Sequence, residues 1–347
     1  MYLLVKEPSD DDFQRTGALL YAKVKSLITL LETAGRYSLR VLQSRLLVTL
    51  FELGHDINHS AYVSIGTCAS SGVALGIDEL PLGRWPPDIN DWIKQEEERR
   101  AWWAIVLLDR YANLRRGSHA FVSRDPRPES LLPVDDDAWD QGVLPPGPPM
   151  PMSTPSSTRV GPFARQVQVA HLLGRVLRHI NDATQDKLFQ RQEAEQLDRT
   201  LAALALLLTF QAHEKYGSYC GAMGMVNSAL MLLREAPSWN HNHDMIDNGH
   251  LQRTNTTAAD VADDIIQKYN ESDPKTTDYT RIPPFVIYSI YQAGLVTISQ
   301  SPTTHDARCS SALASLKTIL DQFSRRWNVA SKIFLSSSSR DLTGYPR

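Results

Sequence analysis

The sequence predicts an all-α fold, a multi-helix domain with one long Pro-rich loop inside it. Three observations carry that prediction. Apolar residues recur at helical spacing along most of the 347 residues. Alternating patterns of the kind that mark half-buried strands are hard to find. Prolines gather in a few breaks, chiefly Pro81 to Pro87 and Leu144 to Thr158.

Leu19, Leu20, Val24, Leu27, Ile28 and Leu31 mark the first helix, between Phe13 and Leu31. A second runs from about Leu39 to Leu53, with Gly54 as its stop. Ala61 to Gly76 is dominated by small residues, among them Ser64, Gly66, Ala69, Gly72 and Ala74. Small side chains let helices approach closely, although each glycine costs about 1 kcal/mol in helix propensity. This helix is expected near the centre of a bundle. After the break at Pro81 to Pro87, a strong helix spans about Asp91 to Arg116. An irregular stretch with Pro126, Pro128 and Pro133 then leads to Asp135-Asp136-Asp137-Ala138-Trp139.

Residues 144–158 hold six of the chain's 20 prolines and five Ser or Thr, and read as an extended, mobile loop. The helical period resumes with Val167, Leu172, Leu173, Val176, Leu177 and Ile180. It continues in about Arg191 to Ala212 and Met223 to Leu233. Pro237 to Thr257 is polar and loop-like. The last helices are expected near Ala258 to Tyr269, Pro284 to Ser299 and Arg308 to Phe334, before a Ser-rich tail. Apolar faces on both sides of the Pro-rich loop argue for one helical domain over residues 1–347, with its core at about 39–334. No internal repeat stands at a fixed period.

Composition excludes several classes of function. With 42% hydrophobic and 22% charged residues the chain is globular rather than disordered. Lys and Arg number 36 against 39 Asp and Glu, a net charge of −3, so no basic surplus draws the chain onto nucleic acid by itself. Cys68, Cys220 and Cys309 lie far apart and form no C-x-x-C pair. That pattern excludes a disulfide framework and a cysteine zinc site, and it points to a reducing compartment. No stretch approaches the run of ~20 apolar residues that spans a bilayer. Lys6 to Ser9 end the apolar start too soon for a secretory signal. No membrane partner is expected.

Few residues suggest catalysis. His55 and His59 stand four apart, as in the zinc-protease H-E-x-x-H, but Asp56 replaces the glutamate and no third ligand has a recognisable spacing. They also follow Gly54, a helix stop, so a shared helix face is not expected. Trp239 to Asp244 with His250 nearby offers clustered ligand types, which in a polar loop normally stay solvated. Cys220 lies in Gly217-Ser-Tyr-Cys-Gly221 without a basic partner to activate it. There is no G-x-S-x-G elbow, Rossmann fingerprint or P-loop. The doublets Arg99-Arg100, Arg115-Arg116 and Arg325-Arg326 sit beside acids or apolar residues and are expected to pair or pack rather than hold phosphates.

One segment is not bland. Three acids, Glu96, Glu97 and Glu98, stand at a helix start, where the macrodipole favours them. Eight consecutive apolar residues, Ala101 to Leu108, then imply a helix buried nearly all round. Trp102, Ile105, Val106 and Asp109 share one face. A carboxylate on that face must be paired, with Arg110, Arg99 or Arg100 as the expected partner. The plain reading is a core helix with a buried ion pair, and the sharper one is a ligand site.

The run E-E-x-R-R-x-W-W-x-I-x-x-L-D-R resembles the signature of the fungal-specific transcription factor domain, the middle homology region of fungal binuclear zinc cluster regulators. The match runs from Glu97 to Arg110 and takes in Glu98, Arg99, Arg100, Trp102, Trp103 and Asp109. Leu53-Gly54-His55 through Ala61-Tyr62, with Gly66 to Ala69 and Ala74 to Ile77, looks like the family's preceding helix pair. Leu132-Pro133 through Asp137 and Trp139 is similar to its L-P-x-x-D-x-x-W block. Pro283-Pro284-Phe285 and Phe323 to Ala330 look like its last helices. The resemblance implies a non-enzymatic nuclear regulator of RNA polymerase II transcription, whose helical region is an effector-responsive or inhibitory module. The texture is most like regulators of secondary-metabolite gene clusters.

The resemblance also implies partners: a small-molecule effector, the transcription machinery or a related regulator, and possible homodimerisation. Such regulators carry a six-cysteine zinc cluster, because each of two zincs takes four thiolates with two shared. Three scattered cysteines cannot supply it, so no zinc or other cofactor is expected on these residues. DNA would be reached only through such a module elsewhere or on a partner. The chain is therefore expected to be either the body of a longer regulator or a headless module that modulates an intact one. An unrecognised enzyme using His55, His59 or Asp109 is the third reading.

Overall fold

Local chemistry starts and stops these helices. The Ser38 hydroxyl accepts the Val41 N–H and opens one helix, and Asp88 Oδ1 accepts from Asn90 and Asp91 N–H to open another. Asp135 caps a short helix through Asp137 N–H, and Gly142 closes it with φ +63°, a conformation that glycine adopts without a Cβ clash. In this computed structural model the described residues are 2–5, 11–78, 88–114, 120–182, 186–214, 217–236, 258–271, 278–300 and 307–332. Among them there are helices and no strand; the only bridge is an isolated one between Leu131 and Pro151. No helix among them is long and apolar enough to cross a membrane.

The described residues gather into two compact units, Met1–His171 and Leu172–Arg347, and the division falls inside a helix rather than in the Pro-rich segment. The first unit holds α1 (Tyr2–Val5), α2 (Asp11–Thr33), α3 (Leu39–Gly54), α4 (Asn58–Ala74), α5 (Ile89–Leu114), α6 (Asp136–Gln141) and the first half of α7 (Pro162–Asn181). Here α3 packs on α2, α4 and α5, and α4 packs on α5. Leu42, Ile65, Cys68, Trp92, Ile105 and Leu132 form its core. The small-residue helix lies where close approach demands it. A Cβ on Gly72 would stand 3.1 Å from both the Trp102 ring and Ile105 Cδ1.

The second unit holds the rest of α7, then α8 (Lys187–Glu214), α9 (Cys220–Glu235), α10 (Ala258–Glu271), α11 (Ile287–Gln300) and α12 (Ala307–Ser324). Helix α9 is its centre, touching α8, α10, α11 and the 3-10 turn Pro284–Val286. Gly224 lets that turn come close, for a Cβ there would lie 2.6 Å from Val286 Cα. Arg234 and Asp198 form a buried ion pair between α9 and α8 at 2.7 Å.

Two expectations need correction. The last helix does not run unbroken from Arg308 to Phe334. It stops at Ser324, turns through residues 325–327 and resumes at 328–332. The turn lets Trp327 Nε1 donate to the Ile282 carbonyl at 2.9 Å, a partner on another segment. The Pro-rich segment lacks helix but is not loose. Leu132 N–H donates to Met150 O at 2.7 Å, Met152 N–H to Ser130 O at 2.8 Å, and Ser153 N–H to Pro128 O at 2.9 Å. Buried Arg165 then holds the carbonyls of Ser156 and Thr158, and Gln168 holds that of Thr154.

Candidate functional site

Helix α5 is the organising element of the first unit. From Ala101 to Leu114 every residue except Ala104 is buried, as eight consecutive apolar residues require. Trp102 lies against Gly72 of α4. Trp103 faces the other way and donates its Nε1–H to the Leu131 carbonyl at 2.9 Å. That bond ties α5 to the segment that follows it.

Two charged networks flank this apolar stretch. At the N-terminal side the centre is Glu96, which is wholly buried. One oxygen accepts from Arg99 Nη1. The other accepts from Arg100 Nε at 2.9 Å and from Val134 N–H at 3.0 Å. Arg100 continues to Asp136 Oδ1 at 2.9 Å and to the Val134 carbonyl. Its guanidinium stacks over Trp139 and Phe163, at 5.0 and 5.5 Å from the ring centres. Asp136 Oδ2 accepts the Phe163 N–H, so one chain of contacts joins α5, α6 and the start of α7. Trp139 also meets Trp92 edge to face at 5.8 Å.

At the C-terminal side the centre is Asp109, 1% exposed beside a fully buried Arg110. Its Oδ2 accepts from Arg110 Nη1 at 2.6 Å, from Ser123 N–H at 2.9 Å and from Ser123 Oγ at 2.6 Å. Asn113 reaches Oδ1 at 3.3 Å. Arg110 also holds Asp125 at 3.0 Å and lies over the Phe121 ring at 3.9 Å. A buried ion pair is favourable only when its remaining lone pairs and protons find partners. Here the segment 121–125 supplies partners for Asp109 Oδ2 and for both terminal nitrogens of Arg110, and in return it is fixed against α5.

Between the networks a cleft of about 270 Å³ opens beside α5. Arg99, Trp102 and Trp103 from α5 line it, with Ile77 and Asp78 beyond α4 and with residues 124–127 and 129–131 of the following segment. Arg124 and Asp78, at 3.5 Å, link its two sides. Arg99 is buried, yet its Nε has no hydrogen-bond acceptor.

The structure places Arg99, Arg100 and Trp139 in the N-terminal network, Asp109 and Arg110 in the C-terminal one, and Trp102 and Trp103 between them, with the acidic roles on Glu96 and Asp136. Glu97 and Glu98 are half-exposed; the acid that takes both arginines is Glu96. The motif held the signal: its fifteen positions, counted back from Arg110, place the first glutamate on Glu96, with Arg99 and Arg100 at i+3 and i+4 from it. Likewise Asp137 is exposed, and Asp136, on which the aspartate of L-P-x-x-D-x-x-W falls when counted from Leu132, carries the contact to Arg100. The roles of Ser123, Asp125 and Leu131 had no signal in sequence spacing.

The remaining chemical candidates separate. His55 ends α3, stacks on Phe51 and donates Nδ1–H to its carbonyl at 2.9 Å. Asp56 takes a left-handed turn at φ 62°, and His59 starts the exposed side of α4, so the two histidines share no helix face. Among the described residues no three His, Cys, Asp or Glu side chains converge as a metal site would require. The Trp239–Asp244 cluster and His250 lie outside the described residues, as do Arg115, Arg116 and the side chain of Cys309. Burial pushes the Cys68 thiol up to about 12, against the opposing Thr49 hydroxyl, so it stays protonated and unreactive. Burial raises Cys220 as well.

Comparison with known proteins then places these features. The pattern of the fungal specific transcription factor domain matches residues 5–206, which include α5 and both networks. It begins before Leu39, and the similar-looking blocks near residues 283 and 323 lie beyond its end. The chain is 35% identical over 81 residues to transcription factor BOA15 of Botryotinia fuckeliana, covering 23% of this chain and 45% of that protein. It is 25% identical over 171 residues to transcription factor AN6788 of Emericella nidulans, covering 48% of this chain and 26% of that protein. The chain thus spans less than half the length of these relatives. No solved structure matches it.

Proposed function

This chain belongs to the fungal specific transcription factor domain family, and we propose that it serves as the regulatory body of a fungal transcription regulator in the nucleus. Its family is one of transcription factors, not of enzymes. The observation that supports the reading is α5 itself. The family signature coincides with a helix whose two buried networks clamp the segments 121–136 around a small cleft. In this reading a ligand in the cleft that favours one packing of those segments biases what surface the unit offers to a partner.

In this reading a small effector enters the cleft, and the transcription machinery or a related regulator reads the result. DNA is reached through a zinc-cluster module that these residues do not contain, either on the same protein or on a partner. The genes controlled are those of a secondary-metabolite cluster, by likeness in texture to such regulators. The second reading is a module that dimerises with an intact regulator and modulates it without touching DNA.

A reporter experiment tests the first reading. The chain is fused to an unrelated DNA-binding module, and transcription is measured with that module alone as the baseline. The fusion is expected to raise or repress the reporter. Baseline transcription from a stably expressed fusion would sink the reading. Co-purification of the chain with a zinc-cluster protein would favour the second reading instead.

A further inference from the structure

We propose that the cleft beside α5 binds a small monocarboxylate with a flat apolar body, its carboxylate seated on the Arg99 guanidinium. The inference rests on the effector-responsive reading and gives that effector a chemical class.

Arg99 spends only one end of its guanidinium on the protein. Nη1 donates to Glu96, and the residue is 6% exposed. Nε has no acceptor and is closed to water. Nη2 makes no hydrogen bond either and is not closed off as Nε is, so a carboxylate in the cleft meets the guanidinium there through a charge-assisted hydrogen bond. Glu96 does not take that nitrogen, because its second oxygen is already held by Arg100 and the Val134 N–H.

The rest of the lining selects the body of the ligand. Trp102 and Trp103 stand on either side of the Arg99 register, and Ile77 and Leu131 add apolar surface. A cleft of about 270 Å³ is at the small end for ligand sites and suits one ring with a short acid arm. Charge sets the limit on the acid. The lining also carries Asp78, Asp125 and Glu129; Asp78 is engaged by Arg124 at 3.5 Å and Asp125 by Arg110 at 3.0 Å. One added negative charge finds Arg99. A phosphate or a dicarboxylate brings a second charge beside three carboxylates, and the other arginines of the lining, Arg124 and Arg127, are exposed to water, where a charge pair is worth little.

The test titrates the purified chain with benzoate, benzamide and inorganic phosphate, reading Tm and tryptophan fluorescence. Benzoate is expected to raise Tm and to shift fluorescence saturably. Benzamide, which has the same ring without the charge, is expected to bind at least about ten-fold more weakly, the scale of one lost charge-assisted contact. Phosphate is expected to do nothing. Equal binding of benzoate and benzamide, or no saturable response to benzoate, overturns the proposal.

Arg99→Gln is expected to abolish the benzoate response. Because that change also disturbs Glu96, Trp102→Phe and Trp103→Phe provide independent variants with smaller effects on the fold. Each is expected to lose part of the fluorescence response, and full retention in both would overturn the placement. Binding and regulation fail separately. Benzoate bound without any change in the fusion reporter would sink the effector reading and leave this site standing. A reporter that responds to benzoate without binding to the purified chain would do the reverse.

Discussion

At the C-terminal end of α5, Asp109 Oδ2 takes three donors, and Arg110 has acceptors on both of its terminal nitrogens. At the N-terminal end, Glu96 is just as fully used, yet Arg99 beside it bonds through one terminal nitrogen, Nη1. The residue types are the same, and both carboxylates are buried. What differs is what comes back to meet them. The segment 121–125 folds onto Asp109 and Arg110 and closes the site. At Arg99 the returning segment stops short and leaves a cleft. An arginine held at both terminal nitrogens is fixed in place, whereas one with a terminal nitrogen left over can also hold a ligand.

Removing the Asp109 centre should have the largest effect. Asp109→Ala leaves Arg110 fully buried without its buried counter-charge, which costs about 3–5 kcal/mol when one partner of such a pair is deleted. Urea unfolding should show a large drop in midpoint, or no cooperative transition in the first unit. Glu96→Gln should cost less, about 1.5–3 kcal/mol, because Arg100 keeps Asp136 and the Val134 carbonyl. Equal losses for the two variants would break the comparison.

Gly72→Ala probes the apolar wall between the networks. Its Cβ would sit 3.1 Å from Trp102 and Ile105. Overpacking costs about 1–3 kcal/mol, and the gain in helix propensity returns about 1 kcal/mol. A net loss near ~1 kcal/mol is expected, together with a change in tryptophan emission. No shift in emission would mean that the cleft side yields more easily than its packing suggests. Arg124→Ala is expected to have the smallest effect, under about 1 kcal/mol, because that side chain is 65% exposed across from Asp78. A larger loss of Tm would show that the cleft mouth is a structural closure.

Much of the first unit was legible in the residues. The apolar run Ala101 to Leu108 required a buried helix, and Asp109 on that helix required a partner. The small residues of α4 foretold close packing, which Gly72 provides. The failures have a common form. Three consecutive acids lie 100° apart on a helix, so the run alone does not say which one faces inward; the motif does, because counted back from Arg99 and Arg100 its first glutamate is Glu96. Asp136 and Asp137 repeat the case, the aspartate of L-P-x-x-D-x-x-W being Asp136 when counted from Leu132. The Pro-rich segment read as loose because its composition forbids helix, and composition does not reveal carbonyls held by Arg165 and Gln168. The break at residues 325–327 was hidden because Trp327 leaves the helix for a carbonyl far away in sequence.

The sequence by itself determined the all-α class, the positions of most helices and the need for buried charge pairs on α5. Those properties follow from spacing of 3.6 residues per turn and from the cost of burying an unpaired charge, both of which are local. Only the tertiary structure decided which acid serves which arginine, that Ser123 completes the Asp109 site and that Arg99 faces a cleft. Such choices depend on segments that return to α5 from a dozen or more residues away, and a hydrogen bond reads distance in space rather than separation along the chain.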